Sequence, residues 1–370
     1  MIFGIITHTI HKIKEGQIFA YAPYVREMNL WGKHVDKIII VAPIAVDEIR
    51  SIEIPYVHPR IKVVEIPNFN ITSIENAFRS ILVIPKICLT IYQVMQQVNH
   101  IHLRCPGNMG LLGCIVQVFF PSKIKTAKYA GNWDPNSKQP LTYKLQKWIL
   151  GNTLLSKNIK VLVYGKWPKQ TKNSMPFFTA SYHKHEIEEI AKKDLNSHIK
   201  LLFVGAFSIG KQPLLSLRAT HKLLKRGFDV SLDMYGNGSE FEKVKKYIDD
   251  HQLHKMIKLH GNQSKEVVKR AFQNSHFLIF ISKSEGWPKV IAESMFWSCL
   301  PISTKVSCVP AMLDNGHRGA LINGNLDEVV EKIEDYIAHK KRYAAHVENA
   351  KKWSQQFTLD TFEKAIKELL

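Results

Sequence analysis

Residues 284–293 read Ser-Glu-Gly-Trp-Pro-Lys-Val-Ile-Ala-Glu. Before them, residues 277–282 (Phe-Leu-Ile-Phe-Ile-Ser) form an apolar run of the length of a buried strand. A polar loop with Gly286 follows. Pro288 then suits a first helical turn, where a missing amide hydrogen costs nothing. Val290, Ile291 and Met295 supply a helical apolar face. Strand, glycine loop and helix start together aim backbone amides and a positive dipole end at one point. Glu285 in the loop and Glu293 in the helix flank that point. A phosphate-holding helix start with a carboxylate on each side, able to accept sugar hydroxyls, suits a sugar nucleotide better than a bare nucleotide.

The stretch resembles the Glu-x7-Glu signature of retaining glycosyltransferases, in particular glycosyltransferase family 4 (group 1), which has the GT-B fold. Two glutamates eight apart would alone read as solvated helix faces. Here they stand within Glu-Gly-x-Pro-x-Val-Ile-x-Glu-x-Met, and residues 301–304 (Pro-Ile-Ser-Thr) are similar to the family's Pro-Val-Ile-Ala-Thr strand. The resemblance implies an α/β protein of two Rossmann-like domains facing each other across a cleft. Residues 1–170 would bind the acceptor and 171–355 the nucleotide-sugar donor. Residues 356–370 would form a helix crossing back to the first domain.

At 370 residues the chain is long enough for two domains. Its five cysteines (88, 105, 114, 299 and 308) are odd in number and form no Cys-x-x-Cys pair, which argues for reduced thiols in a cytosolic setting and against a zinc site. The start lacks the pattern of a signal peptide, and no apolar run approaches the ~18 residues of a spanning helix. The net charge is +19 and uneven. Residues 1–175 carry 22 Lys and Arg against 9 Asp and Glu, and from Lys123 to Lys172 there are eleven lysines and one acid, Asp134. Such a surface attracts polyanions, either nucleic acid or an anionic membrane leaflet. No helix-turn-helix pattern, zinc finger or RNA-recognition aromatic motif accompanies it, so nucleic acid is not expected as a partner.

Residues 2–6 and 37–42 read as strands. A polar loop over 8–17 and a helix over 18–31 fall between them, the start of a parallel sheet. Relatives have two adjacent glycines in that first loop, close to the donor phosphates; here only Gly16 stands there. Residues 71–98 read as one or two helices broken at Pro85, 100–104 as a strand and 107–119 as a helix. After a strand at 125–130, Gly131-Asn132-Trp133-Asp134-Pro135 is rich in turn residues. Relatives carry a histidine near this place; Asn132 and Asp134 are the candidates here, with a plain Asx turn the alternative. Residues 141–155 are amphipathic, suiting a membrane-surface helix or a helix packed on the sheet. The linker is expected within 165–182.

In the second domain, a strand at 200–204 enters Gly205-Ala206-Phe207-Ser208-Ile209-Gly210-Lys211, similar to the family's Gly-Arg-Leu…Lys-Gly loop. Lys211 matches the lysine that holds the donor diphosphate. Ala206 stands where the family has an arginine, and Lys289 is a substitute cation. Gly236 opens a Gly-Asn-Gly turn after the strand at 230–235, and His260 lies on a strand whose end contacts the base in relatives. By resemblance, Glu285 would hold hydroxyls of the transferred sugar and Glu293 those of the ribose. The backbone from Gly286 through Trp287, Pro288, Lys289 and Val290 would cradle phosphate together with Lys211. No Asp-x-Asp pair is present, so no metal or other cofactor is expected beyond the donor substrate. The expectation is a retaining, metal-independent glycosyltransferase of cell-surface polysaccharide synthesis. Its acceptor would be a glycan or a lipid-linked acceptor, and its place the cytoplasm or the inner membrane face. The alternative is a non-transferring relative, either a sugar-nucleotide epimerase or an inactive binding protein.

Overall fold

The first apolar run, β1 (Ile2–Ile6), is buried along nearly its whole length, as a central parallel strand must be. The chain continues through β2 (Lys12–Lys14), β3 (Gln17–Tyr21), α1 (Ala22–Gly32), β4 (Lys37–Ala42), β5 (Glu53–Pro55) and β6 (Ile61–Glu65). Then come α2 (Ile74–Gln97), β7 (His100–Cys105), α3 (Asn108–Val116), β8 (Ile124–Tyr129), α4 (Leu141–Gly151), β9 (Ile159–Tyr164) and β10 (Ser174–Phe177). These strands make a seven-stranded sheet in the order β10-β9-β8-β7-β1-β4-β6 and a small β2-β3-β5 sheet. The computed structural model describes residues 1–50, 52–67 and 74–370.

The second sheet, ordered β13-β12-β11-β14-β15-β16, is built from β11 (Ile199–Val204), β12 (Val230–Tyr235), β13 (Ile257–Gly261), β14 (Phe277–Phe280), β15 (Leu300–Thr304) and β16 (Ala320–Ile322). Its helices are α5 (Pro213–Lys225), α6 (Phe241–Asp250), α7 (Lys265–Asn274), α8 (Lys289–Phe296), α9 (Val309–Met312), α10 (Leu326–Ala338), α11 (Lys340–Ser354) and α12 (Leu359–Lys367). All pairings within the two large sheets are parallel. The chain divides into two units: Met1–Phe178 with Phe362–Leu370, and Thr179–Thr361.

Several sequence expectations change. Residues 8–17 are not a plain loop: β2 and β3 pair antiparallel, with Glu15 and Gly16 at the turn in positive φ (51° and 76°). The helix therefore begins at 22 instead of 18, and β3 pairs on with β5. Pro85 lies inside one continuous helix rather than breaking it, and the buried stripe Ile87, Ile91, Val94 continues past it onto the core. The expected start of that helix at 71–73 falls outside the described residues. Residues 174–177, expected beyond the domain boundary at 170, pair as β10 with β9, so the first unit runs on to 178.

The first unit buries charge as well as apolar surface. Glu27 on α1 accepts from Arg104 and, at 2.9 Å, from Lys128 on β8. The Lys128 ammonium faces the rings of Tyr164, Phe177 and, 4.9 Å away, Phe362. Beside it on β7, His100 Nε2 and His102 Nδ1 each lie 2.8 Å from the Thr126 hydroxyl. A hydroxyl has one proton and two lone pairs, so at least one of the two imidazoles donates to it.

Burial holds the His100 imidazole down at about 4, with Lys160 adding to the effect, and holds His102 well below the usual histidine range. An unfolded histidine protonates near 6.5. Below that pH the unfolded chain takes up a proton that folded His100 refuses until about 4. This stability is complete above about pH 6.5 and drains away as pH falls toward 4, by about 3 kcal/mol for His100. Urea unfolding between pH 7 and 4 should show that loss, and His100→Leu should reduce it. An unchanged pH slope in the variant would place the proton uptake elsewhere.

Candidate functional site

In the second unit the strand order reverses at β11: the chain first builds outward through β12 and β13, then returns to lay β14, β15 and β16 on the other side. Ligands of open parallel sheets bind at the carboxyl edge of such a switch point. The two segments that leave this edge are residues 205–212 after β11 and residues 281–288 after β14.

Backbone packing sets the first segment. Gly205 N donates to Tyr235 O (3.0 Å) and Phe207 N to Asn237 O (3.0 Å). Gly236, at φ +129°, approaches so closely that a Cβ there would lie 1.9 Å from Gly205 O. A Cβ on Gly238 would lie 2.5 Å from Phe207 O. Gly236 and Gly238 thus let two loops touch through their backbones. The segment then turns on itself, Lys211 N donating to Ser208 O at 3.0 Å, and α5 starts at Pro213 after left-handed Gln212.

The second segment is tied to the first. Lys283 N donates to Gly210 O at 2.9 Å. Lys211 Nζ forms an ion pair with Glu285 Oε1, which also accepts from the Ser282 hydroxyl. The Lys211 ammonium lies 4.6 Å from the Phe280 ring centroid. Gly286 O accepts from Ser307 Oγ (3.0 Å) and from the Cys308 thiol (3.2 Å). Burial pushes that thiol up to about 12, so it stays a donor at neutral pH. Pro288 is the residue preceding α8 and Lys289 its first, one position later than the sequence implied. α8 thus starts four residues after Glu285, with the positive end of its dipole at the end of the same loop.

Lys211, Glu285, Gly205, Gly236, Gly286 and the α8 start are therefore brought together on one edge. Trp287 is on that loop, but its ring packs on Trp353 (6.3 Å) and edge-on to Phe357 (5.9 Å), so its side chain anchors the loop from behind. Glu293, one helical stretch on, accepts from the Ser181 hydroxyl. His260 stacks on Tyr235 at 4.4 Å and places Nε2 2.6 Å from Asp233 Oδ1. Sequence reasoning missed Ser181, Ser282 and Asp233. Only Asp233 carried a signal, an acidic residue near the end of a strand that leads into the Gly236 turn.

Three candidates belong to the first unit. Gly16 is a hairpin-turn glycine; nothing lies within 4 Å of where its Cβ would be, so no close backbone approach explains it. Asn132 Oδ1 accepts from Asp134 N (2.9 Å) and Asp134 Oδ1 from Asn136 N (2.8 Å), consecutive Asx turns. Trp133 between them is buried, edge-on to Tyr129. Lys147 on α4 closes the turn by donating to Trp133 O and Asp134 O (3.0 and 3.1 Å). The geometry accounts for both polar residues as turn formers.

Residues 185–353 match the model of the family described as glycosyl transferases group 1. An uncharacterized glycosyltransferase of Methanocaldococcus jannaschii is 28% identical over 158 residues, 42% of this chain and 43% of that protein. The match thus spans less than half the length of that relative. HepE of Anabaena, solved in complex with UDP and glucose, superimposes with a TM-score of 0.70 at 13% identity, over 99% of this chain and 98% of HepE. The lipopolysaccharide outer core galactosyltransferase WaaB gives 0.69 at 14% identity, over 100% and 99%. The fold is that of GT-B glycosyltransferases, and the match to the group 1 model falls within the second unit.

The Gly236 contact gives a direct test. Gly236→Ala should cost about 3 kcal/mol or more, because backbone must move to admit the methyl group. Gly227→Ala also sits at positive φ (+84°) but in open space. It should cost only about 1 kcal/mol. Chemical denaturation of both variants checks the difference, and equal costs would refute the close approach.

Proposed function

We propose that this GT-B protein, with its match to the group 1 model, transfers a sugar from a nucleotide-diphosphate sugar to a glycan or lipid-linked acceptor. The Lys211–Glu285 pair at the carboxyl edge of the second sheet carries the reading. A diphosphate at the α8 start would take Lys211 as its counter-charge. That would release Glu285 to accept hydroxyls of the transferred sugar. Glu293 would exchange its Ser181 partner for ribose hydroxyls. As the bond to the diphosphate breaks, the leaving group gains charge, and the Lys211 ammonium and backbone dipoles stabilise it without reorganising. No divalent ion is required by this scheme. Glu285 is engaged by a cation and a hydroxyl, which suits a holding role rather than that of a covalent nucleophile, so front-face attack with retention is the proposed course.

A second reading, a non-transferring relative, draws on Ala206. It is exposed on the phosphate loop and leaves Lys211 without the companion arginine of the family pattern.

The HepE likeness suggests UDP as the first donor base to try, and the WaaB likeness suggests cell-surface polysaccharide as the setting. A membrane-associated acceptor is favoured by the first unit's outer face. On α4, Leu141, Leu145 and Trp148 are 81, 42 and 60% exposed, and Ile115 and Phe119 nearby are also exposed. The same stretch, residues 123–172, puts nine of its eleven lysines at least partly at the surface, Lys125 and Lys128 being buried. Among the described residues, no helix is long and apolar enough to cross a membrane.

Two experiments check this. In a thermal-shift panel of UDP, GDP, ADP and their sugar conjugates, one base family should stabilise the protein by about 2.7 kcal/mol at a hundred times its dissociation constant. Glu293→Ala should reduce that gain; no stabilisation by any nucleotide would leave the non-transferring binder without its ligand as well. In sedimentation with vesicles, the protein should pellet with anionic but not neutral liposomes at physiological salt, and Leu141→Ser with Trp148→Ser should weaken this severalfold. Indifference to anionic vesicles would remove the membrane part alone.

A further inference from the structure

The first sheet has its own switch point. From β1 the chain builds through β4 to β6 on one side, then crosses to β7 and beyond on the other. A cavity of about 370 Å³ opens at this carboxyl edge, within the range of about 300–1,000 Å³ usual for small-molecule sites. His8, just after β1, forms one wall, and Gly107 and Asn108 at the start of α3 form another. Gly107 is the residue before the helix, at φ +153°; a Cβ on it would lie 3.0 Å from His8 Nδ1. The missing side chain lets the imidazole lie against the amino end of α3.

The character of the lining is unexpected. This unit carries most of the chain's excess of positive charge, yet none of the ten described residues around the cavity is Asp, Glu, Lys or Arg. The nearby guanidinium of Arg104 is engaged by Glu27. The apolar walls include Pro43, Met109 and the Tyr143 ring. The polar groups are neutral hydrogen-bonding ones: the His8 imidazole, the Asn108 amide and the Tyr143 hydroxyl. Partial withdrawal of His8 from water and the Arg104 charge both hold its imidazole below the usual range, so it is uncharged at neutral pH.

We propose that this cavity binds an uncharged, hydroxyl-bearing sugar ring, a neutral glycoside, with His8 hydrogen-bonding a ring hydroxyl and Tyr143 packing on the ring. This rests on the transferase reading and deepens it: the group that receives the transferred sugar is a neutral glycoside, and any phosphate of a larger acceptor lies outside the cavity, on the lysine-rich surface. A pyranoside offers C–H faces to the apolar walls and hydroxyls to the three neutral groups. A carboxylate or phosphate would lose hydration here and meet no charged side chain among the described lining residues; the α3 amides would be its partial compensation, since the nearby Arg104 is already paired with Glu27.

The test uses the full chain and direct binding, so it does not depend on turnover. Methyl β-glucopyranoside and methyl β-galactopyranoside are the neutral probes; methyl β-glucuronide and glycerol 3-phosphate are the anionic ones. Saturation-transfer NMR should show binding of at least one neutral glycoside and of neither anion. His8→Ala should weaken that binding about tenfold, the loss of one hydrogen bond in a partly enclosed site. His8→Asn should restore part of it, and Tyr143→Ala should weaken it independently. Melting curves of all three variants report folding. The proposal is overturned if the anions bind as well as the glycosides, if no glycoside binds, or if folded His8→Ala and Tyr143→Ala both bind like wild type. Binding of UDP, GDP and ADP measured on the same samples separates this from the donor reading. Glycosides without any of the three nucleotides would sink the transferase, and a bound nucleotide without glycosides would sink only the cavity.

Discussion

The contact between Gly236 and the Gly205 carbonyl is the constraint on which the second unit's site depends. It holds the ends of β11 and β12 closer than any side chain would allow. The chain leaving β11 must then turn sharply, through Ser208 and Lys211, before α5 can begin. That turn delivers Lys211 to Glu285, and Gly210 O to Lys283 N. Each later feature, from the ion pair to the α8 start, inherits its position from two glycines that bear no functional group.

Charge in the two units is handled in different ways. At the second unit's edge, Lys211 and Glu285 compensate one another where both remain partly reachable by water, 27 and 10% exposed. An entering anion can therefore exchange partners without stranding a buried charge. In the first unit, Glu27, Arg104 and Lys128 are locked inside, the lysine 1% exposed. Removing Glu27 would leave two like charges, Arg104 and Lys128, uncompensated in a low-dielectric interior. The first arrangement suits a site that rearranges, the second a scaffold.

Legibility in the sequence followed locality. The site from Glu285 to Glu293 could be read because strand, loop and helix start are adjacent in the chain and each has its own residue signature. The hairpin over 12–21 could not: Ile18, Phe19, Tyr21 and Val25 satisfy a helical period, and only pairing with β5 decides for a strand. β10 was hidden by its four-residue length and by Pro176 within it. Ser181, the partner of Glu293, is 112 residues away, in a stretch that reads only as linker. His8 was overlooked because a lone histidine after a strand has no motif. Its place became meaningful only with the order of strands around β1.

The first unit is not contiguous in the chain, since Phe362–Leu370 completes it. Phe362 is one wall of the aromatic box around the Lys128 ammonium. During synthesis, residues 1–178 emerge with that box open and must wait for the intervening stretch to be made. At about 5–20 residues per second the delay is roughly ten to forty seconds. The amino-terminal unit can thus be completed only after the intervening residues have been made. That unit finishes last, and a ribosome stalled anywhere in the second unit would leave a buried lysine half-housed.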